Sequence, residues 1–244
     1  MRRRRYPRRG RAALWALAAG CLGCAGPGRV DPPGAGALWT IVSSCVDRES
    51  HAYCGCSAFA LSCCSDPSTP DADVVWARTK QFVAIRDMKM CGCPAGFVAG
   101  LALPRTRVTG IEDPRRPEGI WPFAWEVART RIPDERQIGL AINPKDARTE
   151  NQMHVHLLRL RPEARAWLDS SDTPGPAGTI VLTLPVLDAV FAAVEARVGA
   201  ARMGDTGVLV ARGRSGGWMV VITASTSPQA FTINRCRASD QGVS

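Results

Sequence analysis

The sequence predicts an α+β protein built on an antiparallel sheet. Three observations carry that prediction. Short apolar runs, bounded by Gly, Pro and polar clusters, recur from Phe82 onward and read as strands. One of them, Met153–Leu160, opens with apolar Met153, Val155 and Leu157 alternating with polar residues, which marks a strand with one apolar face. Between the runs lie segments whose apolar residues follow the helical repeat, such as Leu187, Val190, Phe191, Val194 and Val198.

The chain opens with seven arginines in its first eleven residues, followed by the apolar run Ala12–Gly20 and by Cys21 and Cys24. A basic region before a short apolar run reads as an export leader, residues 1–24, too short for a comfortable membrane span. Ala18-Ala-Gly-Cys21 and Cys21-Leu-Gly-Cys24 each resemble a bacterial lipobox, so a lipid anchor on either cysteine and an uncleaved N-terminal anchor are both open, and a cytosolic basic tail is the alternative. Gly- and Pro-rich residues 25–36 read as a linker. The leader also accounts for the charge. The whole chain carries 31 basic and 22 acidic residues, a net charge of +9. Without the seven leader arginines, 24 basic residues face 22 acidic ones, so the charge gives no ground for a nucleic-acid partner.

Residues 37–236 are long enough for one domain with a sizeable core. Eight cysteines follow the leader: Cys45, Cys54, Cys56, Cys63, Cys64, Cys91, Cys93 and Cys236. An even number behind an export leader reads as disulfides stapling a loop-rich, disulfide-rich N-terminal region to the sheet. At least two bridges should tie the Cys45–Cys64 region to itself or to Cys91 and Cys93. A zinc site built on the two Cys-Gly-Cys pairs is the competing reading, although neither has the Cys-x-x-Cys spacing.

The core begins with Phe82–Asp87 and Phe97–Leu103, strands of a hairpin whose second member ends at Pro104. A helix follows over Trp121–Arg129, its tryptophans read as core. Then come the strand Ile138–Ile142, the Met153–Leu160 strand, and a helix over Pro162–Leu168 with proline in its first turn. After a loop at Asp172–Gly178 come the strand Ile180–Leu184, the helix Leu187–Val198, and the strands Gly207–Ala211 and Trp218–Ala224. That order echoes the first half and divides the domain into a first lobe, 37–176, and a second, 177–236, extending the sheet.

Chemistry concentrates in Asn143–Leu160. The protein has three histidines, and two of them, His154 and His156, stand here one residue apart. Residues two apart on a strand face the same way, so Gln152, His154 and His156 should form one polar row behind the polar loop Pro144–Asn151. A solvated strand face is the bland reading. A metal pair is a second, but the remaining histidine, His51, is far off in sequence and no third ligand is evident. Nucleophilic attack on phosphorus is the third, open to a neutral imidazole whose other nitrogen is held by an acceptor.

The stretch resembles the histidine-triad (HIT) superfamily, whose motif is His-φ-His-φ-His on a strand after a phosphate-binding loop. Leu140-Ala-Ile-Asn-Pro-Lys-Asp-Ala-Arg-Thr-Glu-Asn-Gln-Met-His-Val-His156 looks like the CDP-diacylglycerol pyrophosphatase branch, and Arg105–Pro114 and Arg161-Pro162 fit that branch too. The resemblance covers residues 80–168 and departs from the superfamily at its first triad position, which is Gln152. It implies a HIT-like antiparallel sheet with packed helices, and hydrolysis of CDP-diacylglycerol to CMP and phosphatidate without a cofactor or a protein-bound metal. It implies His154 as nucleophile, His156 as a phosphate contact, and Gln152 as an amide that orients phosphate. Asn143, Arg148 and Thr149 would supply further phosphate donors. The leaving phosphate monoester, with a second pKa of about 6, departs as an anion without much acid help, so an amide at Gln152 is tolerable and a histidine there should be tolerated too. The partners implied are the lipid substrate and a membrane, on its extracytoplasmic face. A broader nucleotidyl hydrolase or transferase, and a non-catalytic nucleotide- or lipid-binding lipoprotein, are the rival functions.

Overall fold

The computed structural model describes residues 35–46, 74–91, 93–94, 96–170, 175–176, 178–224 and 226–236. The leader, most of the linker, His51, and Cys54, Cys56, Cys63 and Cys64 lie outside the described residues. Among the described residues no helix is long and apolar enough to cross a membrane.

The protein is α+β. In chain order its elements are α1 (Ala37–Thr40), which runs on into a wider π turn, Ile41–Cys45; β1 (Val75–Arg78), β2 (Phe82–Arg86), β3 (Ala99–Pro104), α2 (Ile120–Arg131), β4 (Ile138–Ile142), β5 (Val155–Leu160), α3 (Pro162–Asp169), β6 (Thr179–Leu184), α4 (Val190–Val198), β7 (Thr206–Arg212), β8 (Trp218–Ala224) and β9 (Thr232–Ile233). All nine strands join one antiparallel sheet in the order β1-β2-β3-β5-β4-β7-β8-β6, with β9 on β5. The expected hairpin is β2–β3, and the strands of the second half extend the sheet through β7 on β4. β1, β9 and the α1 turn had no clear signal in the sequence: the two strands are short, and all three take their shape from what they pack against.

The alternation of side chains splits the sheet into two unlike faces. On one face Ile138, Leu140, Ile142, Val155, Leu157, Val208, Val210 and Val220 meet α2 and α4 in a single large core. Here the tryptophans of α2 are core, as their spacing predicts. Trp121 packs on Phe191 with ring centroids 5.2 Å apart, and Trp125 stands edge-on to Trp218 at 4.5 Å. Burying such aromatic pairs contributes about 0.5–1.5 kcal/mol each beyond their area. The first N–H groups of α4 have no side-chain cap of their own. The Glu118 carboxylate accepts from Phe191 and Ala192 N–H at 3.0 and 2.7 Å instead, which satisfies orphan donors and locks the helix to the segment before α2.

The opposite face is covered in separate pieces. Leu38, Ile41, Val42 and Cys45 of the N-terminal turn lie over Val83, Ile85, Leu101 and Leu103. α3 and Phe231 lie over Ala141, Leu160, Leu209 and Ala211. β5 runs between these two covers. Cys93, in the β2–β3 loop, is disulfide-bonded to Cys236, beyond β9, a partner outside the Cys45–Cys64 region. Cys45 and Cys91 are also disulfide-bonded.

Candidate active site

His156 faces into the gap between the two covers. Its neighbours across the sheet are Leu101 on β3 and Ala141 on β4, one under each cover. Gln152 and His154 precede β5, which starts at Val155 and not at Met153 as alternation suggested. The reason is local. Met153 N–H bonds the Val108 carbonyl at 2.7 Å, so the chain before β5 is gripped by the segment after β3 rather than by the regular ladder.

The histidine rings are perpendicular, with centroids 4.7 Å apart. His154 Nδ1 lies 2.8 Å from the Gln152 carbonyl oxygen. A carbonyl only accepts, so the ring proton sits on Nδ1 and the lone pair is left on Nε2. Burial pushes the His154 pKa below its usual 6.5, aided by the Lys89 and Arg148 charges and opposed by the carbonyl bond and Asp87. His156 is 4% exposed and is held well below 6.5 by burial first, then by His154 and Lys89. Both rings are therefore neutral at pH 7, and His154 carries the lone pair a nucleophile needs.

The two rings line a cavity of about 380 Å³. Its polar part includes Asp87, Lys89, Thr149 and Glu150; its apolar wall is Leu38, Ile41, Ile85 and Leu101, with half-exposed Met88. The N-terminal turn is pinned there by the loop before the histidines. Glu150 accepts from Leu38 N–H at 3.2 Å, and Asn151 N–H donates to the Ala35 carbonyl at 2.9 Å.

The other residues singled out in the sequence divide. Thr149 lines the histidine cavity as expected. Asn143 is in the site but turned to His156: its Nδ2 lies 3.5 Å from His156 Nε2, while its Oδ1 accepts from Ser227 at 2.7 Å. Arg148 is committed elsewhere. Its guanidinium makes a bidentate pair with Glu112, at 2.9 and 2.5 Å, and its side chain is 7% exposed. Gly110 leaves room for that pair, since a Cβ there would run into the guanidinium and the Glu112 carboxylate. Gln152 does not face the cavity as a phosphate donor. Its side chain is fully buried, with Nε2 donating to the Pro104 and Thr106 carbonyls at 2.9 Å each and Oε1 accepting from Val108 N–H at 3.4 Å. An amide reaches two carbonyls and one N–H at once, and by doing so Gln152 aims its own carbonyl at His154.

Three contributors were missed. Lys89 and Asp87 line the cavity from the turn after β2. Gln229 reaches in from a turn before β9, its Nε2 2.9 Å from His156 Nε2. Ser227-Pro228 signals that turn in the sequence, and Ser227 does accept from Gln229 N–H, but nothing local tells a turn what it touches 73 residues away.

Among the described residues no group of three or more His, Cys, Asp or Glu is placed to hold a metal ion. A neutral, tautomer-fixed imidazole beside a second imidazole, in a mostly apolar cavity with a charged and polar end, suits attack on the phosphorus of an amphiphile. The family model of CDP-diacylglycerol pyrophosphatase matches residues 33–193, which take in the N-terminal turn, both histidines and the loops that grip them. The chain belongs to the CDP-diacylglycerol pyrophosphatase family and is a hydrolase.

Proposed function

We propose that the protein hydrolyses the pyrophosphate of CDP-diacylglycerol through a covalent cytidylyl group on His154, on a HIT-like scaffold. The observation that carries this is the His154 Nδ1–Gln152 carbonyl bond, which leaves Nε2 as the free nucleophile. Nε2 attacks the cytidine-side phosphorus. The bond to the bridging oxygen breaks, and phosphatidate leaves with that oxygen and its electron pair. The ring is then cationic, its proton still on Nδ1 against the carbonyl. Water attacks the same phosphorus, its proton passes to solvent, the P–N bond breaks with its electron pair going to Nε2, and CMP leaves with neutral His154 regenerated. His156 hydrogen-bonds a phosphoryl oxygen, and Thr149 and Lys89 face the same phosphates. No protonated side chain is required for the leaving group, since a phosphate monoester departs as an anion. The glycerol end of the lipid runs along Leu38, Ile41, Ile85 and Leu101.

Substrate carrying ³²P in the CMP moiety tests the reading. Wild type should release CMP and acquire acid-labile label. His154→Ala should lose turnover by several orders of magnitude and acquire none, while His156→Ala should lose roughly 10²–10³-fold, as for one transition-state hydrogen bond. Label persisting on His154→Ala sinks the assignment. The domain is further proposed to work on the extracytoplasmic face of the inner membrane, held by its leader or by a lipid on Cys21 or Cys24; the bonded state of Cys45, Cys91, Cys93 and Cys236 supports this. A cytoplasmic chain with residues 1–20 intact and all thiols free would contradict it.

A further inference from the structure

His156 is held from one side only. Its Nε2 faces two amide groups, Gln229 Nε2 at 2.9 Å and Asn143 Nδ2 at 3.5 Å. Each amide is oriented from behind. Gln229 Oε1 accepts from the Lys89 ammonium at 3.3 Å, and an ammonium has donors only, so the amide NH₂ must point at the ring. Asn143 Oδ1 lies 2.7 Å from Ser227 Oγ and accepts from it, which turns the Asn143 NH₂ the same way. Between two donors, Nε2 must be an acceptor, and the ring proton is forced onto Nδ1. That Nδ1 is buried and has no hydrogen-bond partner among the described residues. A buried donor is rarely left unpaired, and this one belongs to a ring lining the catalytic cavity.

The geometry points to Gln229, aimed by Lys89, as the positioning residue that fixes His156 as an Nδ1–H donor for a non-bridging oxygen of the substrate's pyrophosphate. This rests on the phosphate seat proposed above. It assigns a role to a residue far from the histidines in sequence and beyond the matched residues 33–193. Gln229 itself acts through the ring and need not touch substrate. Asn143 and Ser227 form a second, longer arm of the same clamp.

Ring-nitrogen NMR on full-length protein labelled with ¹⁵N-histidine reads the tautomer directly. In wild type, His156 should show a protonated Nδ1 and an unprotonated, hydrogen-bonded Nε2. Gln229→Leu removes the main donor, so proton density should appear on Nε2, with kcat lowered about 10–100-fold, less than for loss of the ring itself. Gln229→Glu puts an acceptor opposite Nε2 and should move the proton there outright, with a larger loss of kcat. Lys89→Met frees the amide to turn and should give a smaller shift of the same sign. Across the series kcat should fall as the Nε2-protonated fraction rises. A His156 ring that keeps its proton on Nδ1 in both Gln229 variants, or a kcat that ignores the tautomer, overturns the assignment. Because the NMR reading needs no turnover, it stands apart from the question of which substrate is cleaved; a wild type inert toward CDP-diacylglycerol would instead overturn the proposed function.

Discussion

A nucleophilic imidazole must be neutral and must offer its lone pair outward, and at His154 both conditions come from its own surroundings. The Gln152 carbonyl takes the Nδ1 proton, and burial disfavours the cation. The pH dependence follows with its sign. In the proposed mechanism His154 acts unprotonated and its pKa lies below 6.5, so kcat/KM should be level from about pH 6.5 upward and fall only as pH drops through the lowered value. The fold should weaken over the same window. The unfolded chain takes protons on both imidazoles below about 6.5 while the native site refuses them, so stability is lost as pH falls from there. Asp113 acts in a separate, more acid window. The Arg115 guanidinium and backbone N–H bonds lower its pKa from 3.8 to about 2, so its contribution is present above 3.8 and goes as pH falls through about 2. A pH–rate profile with its acid limb centred above pH 6.5 would contradict the burial argument.

At the scale of elements, the site is a negotiation between the two stretches flanking α2. The stretch Pro104–Pro114 supplies the carbonyls that Gln152 grips and the Glu112 that Arg148 pairs with. This reverses an expectation. Gln152→His cannot meet the Pro104 and Thr106 carbonyls and the Val108 N–H together, so it should leave a buried carbonyl unpaired, cost about 1–3 kcal/mol, and loosen the aim at His154. Equal melting temperature and activity in that variant would show the clamp to be unimportant. The same contrast explains what was legible. Apolar runs set both the strands and the helix faces, so β2 through β8 were readable, as was the pairing of β2 with β3. That His154 and His156 come together was legible from their spacing, and the resemblance pointed to Thr149, which lines the same cavity. What spacing could not show is where a long polar side chain spends its bonds. Arg148 and Gln152 look like phosphate ligands until Glu112 and three backbone groups claim them, and Lys89 and Gln229 look like surface residues until the sheet brings them to one ring.

At the scale of the molecule, the histidine side of the sheet is tied together by segments far apart in sequence. The Cys93–Cys236 bond joins the loop just after Lys89 to the segment just after Gln229, closing 143 residues. In the loop-entropy view such a bridge contributes about 4–5 kcal/mol. Cys93→Ser with Cys236→Ser should lower thermal stability and also kcat, because Lys89 and Gln229 lose their common tether. Unaltered turnover in a folded double variant would show that the two sides of His156 hold without it. β9 completes the arrangement, pairing with β5 at Arg159 and Leu160, just past the point where β3's pairing begins at Leu158. This has a meaning for how the enzyme is made. A growing chain displays both histidines long before residues 227–236 exist, yet without them His156 has no Gln229, and β3's lane beside β5 stops short. In the mechanism proposed above, a chain that stops short of residue 227 therefore carries His154 but not the clamp on His156, and its lipid-cleaving activity should stay low until residues 227–236 are in place.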